Sequence, residues 1–122
     1  LFAGARPIAL HARGDGALLI GTDDGLWRLR ARAAAPRAER LHADAIGRAG
    51  VFAFTPHADG GVWVGADDAL RLLDAQDALR TPPWPLPPLR RAVVARTAAG
   101  EHWIGEFAGL YRRNAGDPQP AD

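Results

Sequence analysis

Asp15-Gly16-Ala17-Leu18-Leu19-Ile20-Gly21-Thr22-Asp23-Asp24-Gly25-Leu26-Trp27 occurs three times along the chain in related form. The second copy is Asp59-Gly60-Gly61-Val62-Trp63-Val64-Gly65-Ala66-Asp67-Asp68-Ala69-Leu70-Arg71, and the third is Ala99-Gly100-Glu101-His102-Trp103-Ile104-Gly105-Glu106-Phe107-Ala108-Gly109-Leu110-Tyr111. Gly21, Gly65 and Gly105 are separated by 44 and then 40 residues, and each has a Gly five positions before it and a Leu five positions after. Self-similarity at such a period is the signature of a solenoid, a propeller or a related array, so the repeat is read before any single residue.

Each copy holds a short apolar run, Leu18 to Ile20, Val62 to Val64 or Trp103 to Ile104, bounded by glycine or acidic turn residues. Runs of that length are strands rather than helices. Asp15-Gly16 and Asp59-Gly60 before the run suit tight hairpins whose central residues take positive φ. A further apolar run precedes each turn (Ile8 to Leu10, Val51 to Phe54, Ala92 to Val94), and another follows the next turn (from Leu26, Leu70 or Leu110). Three antiparallel strands per repeat follow, near residues 8–13, 17–21, 26–30, 51–56, 61–66, 69–73, 92–97, 101–105 and 109–113. A fourth is expected near 38–42 and 78–81. Around the first of these, residues 28–48 are rich in Ala, Arg and Leu and favour helix by propensity, but Pro36 interrupts the stretch and Gly47 closes it. The repeat is given precedence, with Arg37, Glu39 and Arg40 suiting a solvated sheet edge.

A four-stranded antiparallel unit recurring at this period is a blade of a β-propeller. The expected fold class is therefore all-β, a propeller fragment of about two full four-stranded antiparallel blades plus most of a third. The blades fall at about 8–42, 51–81 and 92–113, with linkers at 43–50 and 82–91 and a frayed end at 114–122. An incomplete ring and a sequence without Met point to an excerpt of a larger protein, whose remaining blades would be partners of this segment.

The order Asp-Gly, apolar, Trp, Ile or Val, Gly, turn, Gly-Leu and then an aromatic or Arg resembles the two-component regulator propeller repeat, over roughly residues 8–113. In that family such blades form sensor regions of bacterial hybrid histidine kinases and of some membrane-bound diguanylate cyclases. The resemblance implies a periplasmic, non-catalytic segment that senses a ligand or partner, with any kinase or cyclase output elsewhere, and it leaves room for a homodimer in the full-length protein. The copies also depart from one another. Leu19 stands where Trp63 and Trp103 do, Glu106 stands where Thr22 does, and Ala69 replaces Gly25 and Gly109. If Gly25 takes positive φ, Ala69 is disfavoured there and Asp68 is expected to adopt that conformation instead.

Hydrophobic residues make up 48% of the 122 residues and charged ones 24%, an ordinary composition for a folded chain. The net charge of +1 gives no electrostatic footprint for nucleic acid. All fifteen basic residues are Arg, a type suited to bidentate contact with carboxylates and sulfates. No apolar run reaches the length of a membrane span, no signal peptide is visible, and the absence of Cys removes disulfides and thiolate metal ligation.

Candidate chemistry is sparse. Trp63 and Trp103 can be sugar platforms, but their shared repeat position makes them filler between blades. Asp23-Asp24 and Asp67-Asp68 can seed a metal site or an acid and base, but they read as solvated turns, and Phe107-Ala108 replaces them in the third copy. His11, His42, His57 and His102 have no metal-ligand spacing, and no phosphate loop, nucleophile elbow or triad is present. No cofactor is expected.

The best recognition candidates are Trp84, set among Pro82, Pro83, Pro85, Pro87 and Pro88, and the adjacent Arg90 and Arg91. They offer a stiff aromatic platform beside cations for an anionic glycan, another small ligand or an acidic partner surface, unless Trp84 packs on its own prolines as a lid. Linkers between blades and turns between second and third strands share one face of a propeller, so recognition is expected there. A propeller enzyme of lyase or glycosidase type and a protein-binding scaffold are the alternatives.

Overall fold

The structure is a computed structural model that describes residues 2–30, 36–82, 90–106 and 109–113. Trp84 and the expected frayed end 114–122 lie outside the described residues. The chain is all-β, and among the described residues there is no α-helix, only a 3-10 turn at Ala58–Gly60.

Three antiparallel sheets follow one another along the sequence. The first has β1 (Pro7–Ala12), β2 (Ala17–Thr22), β3 (Gly25–Arg30) and β4 (Ala38–Leu41) in that order, and the second has β5 (Val51–Pro56), β6 (Val62–Ala66), β7 (Leu70–Leu73) and β8 (Leu79–Arg80). The third has β9 (Val93–Arg96), β10 (His102–Glu106) and β11 (Gly109–Arg113), with β10 in the middle. All nine expected strands are present, and both fourth strands form. Over the described residues 28–30 and 36–48 the conflict is thus resolved for the repeat, because pairing of Leu26 to Leu29 with Leu41 to Ala38 outweighs a weak local preference.

The turns correct two details. In the β1–β2 and β9–β10 hairpins only the glycine takes positive φ, Gly16 and Gly100 both at 88°. Arg13 N donates to Ala17 O at 2.8 Å and Thr97 N to Glu101 O at 2.9 Å, the pattern of a turn followed by one left-handed bulge residue. Asp59 (58°) and Gly60 (77°) are the one Asp-Gly pair with both residues left-handed. Gly25 does take positive φ, at 96°, but Asp68 does not take over that role in the second sheet. The β2–β3 ladder runs on to Thr22 opposite Gly25, whereas the β6–β7 ladder stops at Gly65 opposite Leu70. The wider loop that results closes through Ala66 N to Ala69 O at 3.1 Å and needs no left-handed residue.

Period-2 alternation gives each sheet a forward face toward the next and a backward face toward the previous one. Leu19 and Leu26 of the first sheet pack on Val51, Val62, Val64, Ala66 and Leu73 of the second, and Ile46 of the intervening connection joins them. Trp63, Leu70 and Leu72 of the second pack on Val94 and Ile104 of the third, with Ala92 just before β9. The repeated inner glycine sits at the closest approach. A Cβ on Gly21 would lie inside 3.0 Å of the Val51 carbonyl oxygen, and one on Gly65 inside 3.0 Å of that of Ala92. Gly65→Ala is therefore expected to lower stability by about 1–3 kcal/mol, because the obstacle is backbone that cannot rotate away. Gly14→Ala, with nothing within 4 Å of the new carbon, should stay within about 0.5 kcal/mol. Urea melts of the two variants check this.

Trp63 lies in the layer between sheets as expected, fully buried. Trp103 does not. It occupies the same forward position on the third sheet, but no described sheet follows, and it is half-buried with the Arg112 guanidinium 5.7 Å from its ring centre.

Candidate recognition rim

The β2–β3 and β6–β7 turns lie at one end of the sheets, and the inter-sheet connections return to that same end. Asp67 N donates to Gly50 O at 2.8 Å, and Arg91 N donates to Ala66 O at 3.0 Å. The connection 43–50 and the end of 82–91 therefore meet the second-to-third-strand turns on one rim.

The rim is built on buried polar turn chemistry. Thr22, fully buried, donates its hydroxyl to Gly25 O at 2.9 Å and accepts Asp24 N at 2.9 Å, which sets the turn and aims the Asp24 carboxylate outward. Arg48 of the connection donates to both Asp24 carboxylate oxygens, at 2.8 and 3.0 Å. Arg40 donates to Asp24 O at 2.7 Å and to Gly47 O at 3.2 Å, and its guanidinium lies 4.6 Å from the Trp27 ring centre. Arg40 is thus largely covered rather than part of a solvated edge, because the end of β4 abuts the turn. On the other side, Arg6 N donates to Asp23 at 2.7 Å. Asp67 pairs with Arg91 at 3.0 Å and Asp68 with Arg71 at 3.1 Å.

The two acidic pairs remain on turns, yet their carboxylates are engaged by arginines. Hydrogen bonding from Arg48 holds Asp24 below the usual carboxylate range, and the Arg6 backbone N–H does the same for Asp23. Carboxylates so held are poor proton donors at neutral pH. A shallow hollow of about 390 Å³ opens on the rim between Ala3, Gly4, Ala5, Asp23, Asp24 and Arg48. Among the described residues no three His, Cys, Asp or Glu side chains converge as metal ligands, and no helix is long and apolar enough to cross a membrane.

Of the sequence candidates, Arg91 stands on this rim at a left-handed φ of 56°, with Asp67 on one side and the Phe52 ring centre 5.6 Å away. It stays two-thirds exposed. Arg90 beside it is exposed and makes no ion pair among the described residues. The sequence reading puts connections and second-to-third-strand turns on one face, but it does not pair Arg48 or Arg40 with Asp24, or Arg91 with Asp67.

Histidines that the sequence shows as scattered also meet. The His57 and His102 rings lie 5.8 Å apart at the seam between the second and third sheets, and His57 lies edge-on to Trp63 at 5.4 Å. Burial, then the charge of Arg96, pushes His57 below its ordinary 6.5, with Asp59 opposing. Burial, then His57 and Arg96, does the same for His102. His11, against Phe54 between the first and second sheets, is lowered by burial and then by Arg13, with Asp77 opposing. The unfolded chain therefore takes up protons first as pH falls, so stability is full above pH 6.5 and declines below it. Urea midpoints measured between about pH 7.5 and 5 should fall with acid, and less steeply in His57→Gln.

Comparison with protein-family models, with curated proteins and with solved structures gives no match.

Proposed function

We propose that the chain is an arc of a β-propeller that serves as a non-catalytic recognition segment of a bacterial signalling protein, facing the periplasm, with its contacts on the rim. Like sheets joined in sequence by one repeated glycine-to-carbonyl contact support the propeller reading. The observation that carries the recognition reading is the exposed Arg90, without an ion pair among the described residues, next to Arg91, whose backbone is fixed to Ala66 and whose side chain is steadied by Asp67. A cation beside a braced second cation suits a carboxylate or sulfate on a glycan, or an acidic patch on a partner protein. Trp84 would add the apolar platform. The matched charges elsewhere on the rim favour selective contact over nonspecific attraction of anions. Binding would bias the packing of adjacent blades and pass to an output module elsewhere.

The test is calorimetric titration with uronic-acid oligosaccharides and their neutral counterparts, on the parent chain and on Arg90→Ala and Trp84→Ala. Binding confined to the acidic sugars and weakened about tenfold by each substitution supports the reading. Equal binding by the folded variants moves recognition off this rim.

A further inference from the structure

The hollow on the first-sheet side of the rim is bordered by two opposite charges that are held in place with hydrogen-bonding capacity left over. One wall is the tight turn at residues 2–5, closed by Ala5 N to Phe2 O at 2.9 Å, in which Ala3 (51°) and Gly4 (89°) are both left-handed. Ala3, Gly4 and Ala5 put nothing larger than a methyl along that wall, which keeps about 390 Å³ open. Asp23 and Arg48 line the space with them. The Asp23 oxygens accept the Arg6 backbone N–H at 2.7 Å and the Arg6 Nε–H at 3.4 Å, and the side chain remains 42% exposed. A carboxylate oxygen accepts two hydrogen bonds, so each keeps one acceptor site. Arg48 donates its Nε–H and Nη2–H to Asp24 and is 84% exposed, and its Nη1 hydrogens engage nothing among the described residues. Asp24, reached also by Arg40 at 3.4 Å, aims the Arg48 fork and is itself largely used up.

We propose that this hollow binds a small α-amino acid, or another zwitterion of the same charge spacing, with its ammonium on Asp23 and its carboxylate on Arg48. A simple anion would be drawn to Arg48 and repelled by the two carboxylates beside it, and a simple cation would meet the reverse. One molecule carrying both charges therefore matches the site better than either. Hydrogen bonds already fix both groups, so little ordering is lost on binding. The lining has no aromatic face on which a sugar ring could stack. The site shares no residue with Arg90 and Arg91, and the proposal stands or falls without them.

A nuclear magnetic resonance titration of the whole chain with L-alanine should shift, saturably, the amides of residues 3–5 and 23–24. The Trp27 indole N–H should move with them, since it donates to Asp24 O at 3.2 Å. L-alaninamide keeps only the ammonium and N-acetyl-L-alanine only the carboxylate, and each should bind at least about tenfold more weakly. Asp23→Asn keeps an acceptor for the Arg6 N–H, and Arg48→Gln changes an exposed side chain, so both should retain the parent amide pattern away from the rim. Each should weaken L-alanine binding about tenfold or more. Absence of a saturable shift overturns the proposal. So does either analogue binding as tightly as L-alanine, which would make the hollow a site for a single charge, and so does equal L-alanine binding by the two folded variants. The analogue comparison needs no substitution and decides the question on the parent chain if a variant misfolds.

Discussion

Trp63→Ala is expected to lower the unfolding free energy by about 3–5 kcal/mol. Trp63 is the largest fully buried side chain among the described residues, and it fills the layer between the second and third sheets against Leu70, Leu72, Ala92, Val94 and Ile104. Removing the indole leaves a cavity that cannot collapse. The sheets are already at contact where Gly65 meets Ala92, so neither can move closer at that point. Trp103→Ala provides the contrast, since the same repeat position on the third sheet is only half-buried, and its loss within one chain should cost well under half as much. Equilibrium urea unfolding by circular dichroism checks both.

That contrast also marks where sequence reading stops. Periodicity located the strands, and the equivalence of Gly21, Gly65 and Gly105 marked a position of close approach. It placed Trp63 and Trp103 in equivalent positions but not in equivalent surroundings, because burial depends on whether a following sheet exists. Asp68 was given a conformation that a one-step difference in ladder length made unnecessary. The rim was legible as a face but not as a set of partners. Arg48 reaches Asp24 and Arg91 reaches Asp67 across connections whose residue types name no destination. His57 and His102 share a seam although neither a helix nor a strand spacing links them.

Nothing in the sequence singles out Asp77, yet its removal should rank beside that of Trp63. It occupies the left-handed position of the β7–β8 turn at φ 64°, the place within the turn that Gly16 and Gly100 take in the β1–β2 and β9–β10 hairpins. An aspartate tolerates that conformation better than most residues. Its carboxylate, 8% exposed, accepts from Arg13 on one oxygen and from Arg28 Nη1 on the other, the latter at 2.9 Å. Arg13 also donates to Asp74 O at 2.9 Å, Arg28 to Glu39 at 2.9 Å, and the His42 Nε2–H to Asp77 O at 2.6 Å. Arg13 of the β1–β2 turn and Arg28 of β3 thus converge on one anion that ties the first sheet to the second.

Asp77→Ala would leave the buried Arg13 guanidinium without a carboxylate and take one of two carboxylates from Arg28, at a cost of about 3–5 kcal/mol. Asp77→Gly relieves the backbone strain but should still be strongly destabilised, because the charge rather than the turn dominates. Asp68→Ala removes an exposed pair with Arg71 three residues away and should cost no more than about 1 kcal/mol. A double-mutant cycle on Arg13 and Asp77 isolates the coupling between them.

The stacking of three repeat-related sheets is tested most directly by nuclear Overhauser contacts in solution. Cross-strand contacts inside β1–β2 or β6–β7 report only that sheets form. Contacts between the Gly21 α-protons and the Val51 methyls, and between the Trp63 ring and the methyls of Val94 and Ile104, require each sheet to lie on the next. Both sets are expected with full intensity. A spectrum with strong cross-strand contacts and neither inter-sheet set would contradict the account.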